Sequence, residues 1–561
     1  MASSTPYSIK VNPLGQSLSP QPRDAAADRQ TLIAMRDRAR SGDMAGAIAL
    51  AEQAVTSGLE HPFCLNLAAL GLEAAGRFED ARARLVRARD LAPGDLGVLN
   101  ALGLISLRLE RFDEALTSFD EALAIDARFA PGHANRAVAL MGLGRLLDAE
   151  ASARRALDLH PGHLAALSAL AAISSRRGDH VAARRFAASV LAAEPNHPDT
   201  TLSVAAADLA EGEMDQAATS LLALLADPRP TEFERAQAEG LLADVRDAQG
   251  RTDEAFLGYK ASNDRLRDLY APRFGRGEST LDVARWMSSW LSHAAPFPTT
   301  DTSPPPPTRP EHVFLLGFPR SGTTLLETVL AGHAEVETLE ERETLVDSAK
   351  VFLATPARLD HLARASEAEL APWREAYWRR AREAGGRLDR RMFVDKHPFN
   401  TLKLPLIARL FPEARILVSQ RDPRDVVLSC FRRRFQMSPA TYGLLSLEET
   451  AELYAATMAI ALAMQGLSPI RRRVVRHERL IEAFEPEVRD ICDFLGLTPD
   501  DAMAAVATRV TRRSIATPSG AQLARGINAE GVGYWRRYSA ALAPVLPILQ
   551  PWVERFGYDA T

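Results

Sequence analysis

The sequence has no run of eighteen uncharged apolar residues, and its first two dozen residues, rich in Ser, Pro and Gln, contain no apolar secretory core. Neither a membrane span nor a cleaved leader is expected, and a cytoplasmic location is. Cysteine is scarce. Cys64, Cys430 and Cys492 are scattered and odd in number, which gives neither a disulfide framework nor metal-ligand spacing and suits a reducing compartment. Charge of one sign is lacking too. A formal net charge of -5 gives no global attraction to nucleic acid or anionic membrane, so binding of a polyanion needs local arginine clusters. The basic stretch "IRRRVVRHER" alternates with valines as a charge-lined strand would, so no nucleic-acid partner is expected.

A motif that recurs fills the N-terminal half: "GDMAGA", "GRFEDA", "ERFDEA", "GRLLDA", "GDHVAA" and "GEMDQA" end at Ala47, Ala81, Ala115, Ala149, Ala183 and Ala217, each 34 residues after the last. This is the tetratricopeptide period, in which a small residue lets two antiparallel helices approach and the next pair stack on them. Ala54, Ala88, Ala122 and Ala156 form a second small site, Gly103 fits the glycine of its repeat, and "GRTDEAFLGY" suggests a last, out-of-phase unit at Ala255. The expected organisation is a disordered lead-in over 1–27, a repeat superhelix over 28–270, a connecting segment with a proline-rich spacer over 271–310, and a second domain over 311–561.

That second domain alternates apolar runs ("HVFLLG", "RRMFVD", "ARILVSQ", "RRRVVRHERL") with helical patterns, which predicts an α/β fold with a central parallel sheet. Its first run leads into "GFPRSGTT", a P-loop-like glycine loop opening a helix, where backbone amides and the dipole favour an anion. Gly317 and Gly322 have nucleotide-loop spacing, yet Thr323 stands where the lysine belongs, and "ARILVSQRD" offers Gln420 and Arg421 in place of a metal-binding aspartate. The cation of the loop is Arg320, with hydroxyls from Ser321, Thr323 and Thr324.

"FPRSGTTLLETVL", "VDKHPFNTLKLPLIARLFPEARILVSQRDPRDVVLSCFRRRF" and "TPSGAQLARGINAEGVGYWRRY" resemble the sulfotransferases that use 3'-phosphoadenosine 5'-phosphosulfate (PAPS), most closely their protein-tyrosine branch. The resemblance covers residues 311–561. It implies sulfuryl transfer from PAPS to an acceptor hydroxyl, without metal, leaving 3'-phosphoadenosine 5'-phosphate (PAP). It places the 5' end at Arg320, Ser321, Gly322, Thr323 and Thr324, and the 3'-phosphate at Arg421, Ser429 and Arg433. Glu341 becomes the general base, with its neighbour Glu340 left open as the alternative. Lys396 and Arg320 stabilise the leaving group, and Ser519 helps hold the sulfuryl group. His477 stands where a tyrosine often touches the cofactor, and Tyr534 replaces a basic phosphate contact, for which Arg525, Arg536 and Arg537 could compensate. His397 is the alternative base, as in the small-molecule branch of the family, although its place directly after the lysine reads as structural. Because neighbours on a strand face opposite ways, only one of Glu340 and Glu341 is expected to face the site. Likewise, part of Arg432 to Arg434 reads as a solvated helix face.

The repeat array is expected to recruit an acceptor protein or glycan, and a homodimer stays open. The acceptor itself (protein tyrosine, polysaccharide, lipid-linked sugar or small phenol) is not legible. Two other readings compete: a non-catalytic repeat scaffold with an inactive sulfotransferase-like domain, and a P-loop kinase, against which the missing lysine and aspartate count.

Overall fold

The computed structural model of the chain describes residues 25–298, 310–506 and 526–559. Two compact units divide it, Met1–Ala169 and Leu170–Thr561. The first helix begins at Ala25; the rest of the expected lead-in, and Pro304 to Pro307, lie outside the described residues. Among those residues no helix is long and apolar enough to cross a membrane.

In the first unit, helices pair across short turns, from Ala25–Arg40 with Met44–Thr56 to Ala130–Gly142 with Leu146–Leu159. The alanines of the 34-residue ladder have no exposed surface. A Cβ on Gly103 would come within 2.4 Å of the Phe119 ring, so its helix packs too closely there for any side chain. Every turn inside a pair also needs one left-handed residue. Gly42, Gly76, Gly144, Gly178 and Gly212 supply it at the repeat period, and Glu110 takes the same conformation at φ 57°.

In the second unit the repeat helices continue to Thr280–Leu291, and a five-stranded parallel sheet follows. Its strands are β1 (Glu311–Leu316), β2 (Val336–Glu340), β3 (Met392–Lys396), β4 (Arg415–Gln420) and β5 (Arg471–Arg476), in the order β2-β3-β1-β4-β5. Four of them are the apolar runs read from the sequence, and β2 appears there only as the strand-like run that carries Glu340. The central strand β1 is buried on both faces, which is why "VFLL" runs apolar without alternation. Val313 and Leu315 pack with Leu325, Val475 and Ile491 on one side. On the other, Phe314 and Leu316 share a core with Tyr259, Leu281, Met287 and Leu291. The last two repeat-side helices, Thr252–Phe274 and Thr280–Leu291, therefore belong to the same core as the sheet.

The left-handed ladder gives a stability test. Gly144→Ala should lower the thermal midpoint by the equivalent of about 1 kcal/mol, the cost of a Cβ in that conformation. Glu110→Gly, which relieves the same strain, should leave the midpoint unchanged or raise it; a clear fall would show that the Glu110 side chain outweighs its backbone.

Candidate active site

In a parallel sheet every strand delivers its carboxyl end to one edge, and ligands collect where the strand order reverses. That edge gathers the sequence-derived candidates. β1 leads into the glycine loop, β2 ends on Glu340 before Glu341, β3 ends on Lys396, β4 precedes Arg421 and β5 precedes His477. Register fixes the depth: Lys396 lies opposite Leu315 of β1 and opposite Glu340 of β2.

The loop backbone alternates conformation, with Arg320 at φ 70° and Gly322 at φ 101°, the pattern that turns successive amides inward around an anion. Helix Thr323–Leu330 starts there, and Gly322 at its N-cap supplies no side chain to satisfy the first amides. Two contacts close the loop. Thr401 Oγ1 bonds both the carbonyl and the amide of Gly317, at 2.6 and 3.0 Å, and Ser419 Oγ donates to the Ser321 carbonyl at 2.8 Å. His477 lies so near that a Cβ on Gly322 would sit 2.5 Å from its Nδ1. Burial, with Arg421 and Arg320 adding to it, depresses the His477 ring to about 3, so it is neutral.

Arginines crowd the same loop. Arg320 Nε donates to Ser429 Oγ at 2.9 Å, and Arg421 donates to the Arg320 carbonyl at 3.2 Å and to the Gly531 carbonyl. Burial, then the charges of Arg433 and Arg421, push the Arg320 guanidinium down to about 9. Arg421 Nε is buried without a hydrogen-bond partner among the described residues. A cluster of cations that destabilise one another, with a buried donor unspent, fits an anionic ligand. Asp425, 3.8 Å from the Arg421 guanidinium, offsets part of this charge: burial raises it to about 6, although Arg421 pulls it down, and it accepts from the amides of Gly533 and Trp535.

The opposite charge lies around Lys396, whose side chain is 0% exposed. Its Nζ is 2.7 Å from Glu341, 3.2 Å from Glu327 and 3.6 Å from Glu340. Burial alone would lower the ammonium, but the three carboxylates outweigh it and raise it. Burial and the charge of Glu327 raise Glu340 to about 7. For Glu341 burial also pushes upward, yet the charge and hydrogen bond of Lys396, with His397 and Arg320 behind them, leave it below the ordinary range.

Several expectations need correction. Glu340 and Glu341 do not face opposite ways: the strand ends at Glu340, Glu341 turns into the left-handed region at φ 44°, and both reach Lys396. Arg432 and Arg434 are not a solvated face, because each is partly buried and paired with a carboxylate of helix Glu232–Ala248, Asp247 and Asp244. Tyr534 and Arg537 turn to the same helix: the Tyr534 hydroxyl donates to Asp247 at 2.6 Å and Arg537 to the Asp247 carbonyl at 3.0 Å. His397 pairs with Glu343 at 3.2 Å, and Glu343 also pairs with Lys403 at 2.7 Å. Ser519 and Arg525 lie outside the described residues.

Two features had escaped the sequence. Glu327 is the only charge in a helix whose eight residues are all buried, and that isolation was the available signal. An apolar cavity bounded by Phe318, Tyr454, Met458, Trp552 and Phe556 also has Ser321 and Arg421 in its wall.

Comparison with known proteins finds two kinds of family in the chain. Residues 310–501 match the model of the sulfotransferase family, and residues 95–160 and 135–198 match tetratricopeptide-repeat models. An uncharacterized protein of Aquifex aeolicus is 27% identical over 73% of this chain and 53% of its own length, so the chain spans about half of that relative. A putative protein-tyrosine sulfotransferase of Caenorhabditis briggsae is 26% identical over 44% of this chain and 89% of its own. Nodulation protein NoeE of Sinorhizobium fredii is 29% identical over 33% and 50%.

The acid cluster makes stability depend on pH. Glu340 keeps its proton in the folded protein up to about 7, above its unfolded value. The stability this contributes is complete below the ordinary glutamate range and disappears as pH rises through the folded value. Glu340→Gln cannot ionise, so its midpoint relative to wild type should rise between about pH 5 and about pH 8. A difference that stays flat or falls would contradict the protonated state.

Proposed function

We propose that this chain, which joins tetratricopeptide repeats to a sulfotransferase-family domain, transfers a sulfuryl group from PAPS to an acceptor hydroxyl. The observation that carries the reading is the placement of a basic cluster and an acidic cluster on one sheet edge, with Arg320 acting on both. PAPS supplies an activated sulfuryl group and two separated phosphate positions. The loop amides and Arg320 would hold its 5' end, while Arg421, Ser429 and Arg433 would hold the 3'-phosphate. Such a division suits guanidiniums, which bind phosphate through several directed donors at once.

At the other side of the site, Glu341 would accept the acceptor's proton. Its side chain is 40% exposed against 33% for Glu340, so of the two it is more open to an incoming hydroxyl, and its lowered pKa keeps it ionised. Lys396 holds it at 2.7 Å and, with Arg320, would stabilise charge on the leaving oxygen. Glu340 is the second reading, favoured by a value of about 7 that matches a base working near neutrality. The pH profile separates them. With Glu341 as base, kcat persists below the ordinary glutamate range; with Glu340 it declines below about 7. The repeats would recruit the acceptor, whether protein or glycan, and PAPS binding would require no metal.

Calorimetry on the full chain should give tighter binding of PAP than of AMP, in the absence of metal. Arg421→Ala should remove about 2–4 kcal/mol of PAP binding, as expected for one partner of a desolvated charge pair. Equal affinity for the two nucleotides would reject the 3'-phosphate assignment.

Glu341→Gln should leave PAP affinity intact and lower kcat roughly a hundredfold or more, with Glu340→Gln retaining most activity. The reverse ranking makes Glu340 the base, and two fully active variants would exclude base catalysis by this pair.

A further inference from the structure

Helix Glu232–Ala248 presents two carboxylates three residues apart, which puts them on one face. Asp247 has a 6% exposed side chain. It accepts from the Tyr534 hydroxyl at 2.6 Å, from the Tyr538 hydroxyl at 2.7 Å, and from the Arg432 guanidinium. Asp244 accepts from Arg434 at 2.8 Å and from the Tyr259 hydroxyl at 2.9 Å. Between these clamped arginines sits Arg433. A third contact fixes the preceding residue: Asn263 Nδ2, in helix Thr252–Phe274, donates to the Phe431 carbonyl at 2.9 Å. The turn from 431 to 434 is thus held on each side of Arg433 by helices that precede the sheet.

The chain makes no comparable provision for Arg433 itself, whose guanidinium has no hydrogen bond or ion pair among the described residues. Its charge acts at longer range, on Asp244 on one side and on Arg320 of the glycine loop on the other. Arg432 is additionally fixed by the ring of Tyr534, which its guanidinium overlies at 4.6 Å. Loss of one carboxylate here leaves a partly buried cation without its counter-charge, a larger disturbance than loss of a surface pair.

We propose that Asp247 and Asp244 are positioning residues that set Arg433 toward the 3'-phosphate, so that the terminal repeat-side helices are a working part of the nucleotide site. This rests on the assignment of Arg433 to that phosphate. A cut at residue 311 would remove both carboxylates and Asn263, so the domain downstream should not bind PAP as the full chain does.

The test uses full-length variants and two nucleotides that differ in the 3'-phosphate. Asp247→Asn should weaken PAP binding about tenfold, in the range for one lost hydrogen bond to a charged group, while AMP binding stays within about twofold. A merely structural role would weaken both nucleotides alike, and that result overturns the proposal. Asp244→Asn, which loosens the less buried Arg434, should change the PAP to AMP preference in the same direction if Asp247→Asn fails to fold. In an Arg433→Ala background either substitution should add no further loss of preference, and additive losses would also overturn it. A wild-type chain that binds PAP and AMP equally would instead reject the site reading itself, and this inference with it.

Discussion

The arrangement depends on a buried ammonium. Lys396 has no exposed side-chain surface and ends β3 among Glu327, Glu340 and Glu341. A lone buried cation is costly, and its burial is tolerated only where opposite charges and hydrogen bonds surround it. Here the carboxylates come from the loop helix, from the end of β2 and from the turn after it. One ion therefore fastens three elements to the edge where chemistry is proposed. Three carboxylates on one cation leave excess negative charge, which the raised Glu340 absorbs as a proton.

The arginine cluster has the opposite imbalance. Arg320, Arg421 and Arg433 lie close enough to lower the basicity of Arg320, and nearby Asp425 is itself raised toward neutrality. A site with surplus cations and unspent donors is preorganised for an anion, because the unfavourable approach of like charges is met during folding rather than on binding. Arg320 belongs to both clusters. Its bond to Ser429 joins the glycine loop to helix Pro423–Phe431, and its charge helps keep Glu341 ionised.

The sheet cannot be separated cleanly from what precedes it. Tyr259, Leu281, Met287 and Leu291 complete the hydrophobic face under β1, and Asp244, Asp247 and Asn263 take hold of the turn that bears Arg433. Repeat helices normally contact only their neighbours; the terminal ones here are recruited into the adjoining domain's core and charge network.

The sequence by itself determined the repeat phase, because a 34-residue period repeats the same small residue wherever helices must approach. It also determined four of the five strands and the loops after them, since buried parallel strands appear as apolar runs and glycine loops carry their own spacing. The strand-end positions of Arg320 and Arg421 were legible for that reason, whereas Lys396 was singled out only by the family resemblance. What only the tertiary structure decided was which way side chains face once a strand ends, and what meets across long separations. The left-handed turn at Glu341 breaks the alternation that a strand reading assumes. Arg432 meets Asp247 across 185 residues and Tyr534 meets it across 287. No local pattern encodes such pairs, because a charged run destined for burial against distant acids reads the same as one destined for water.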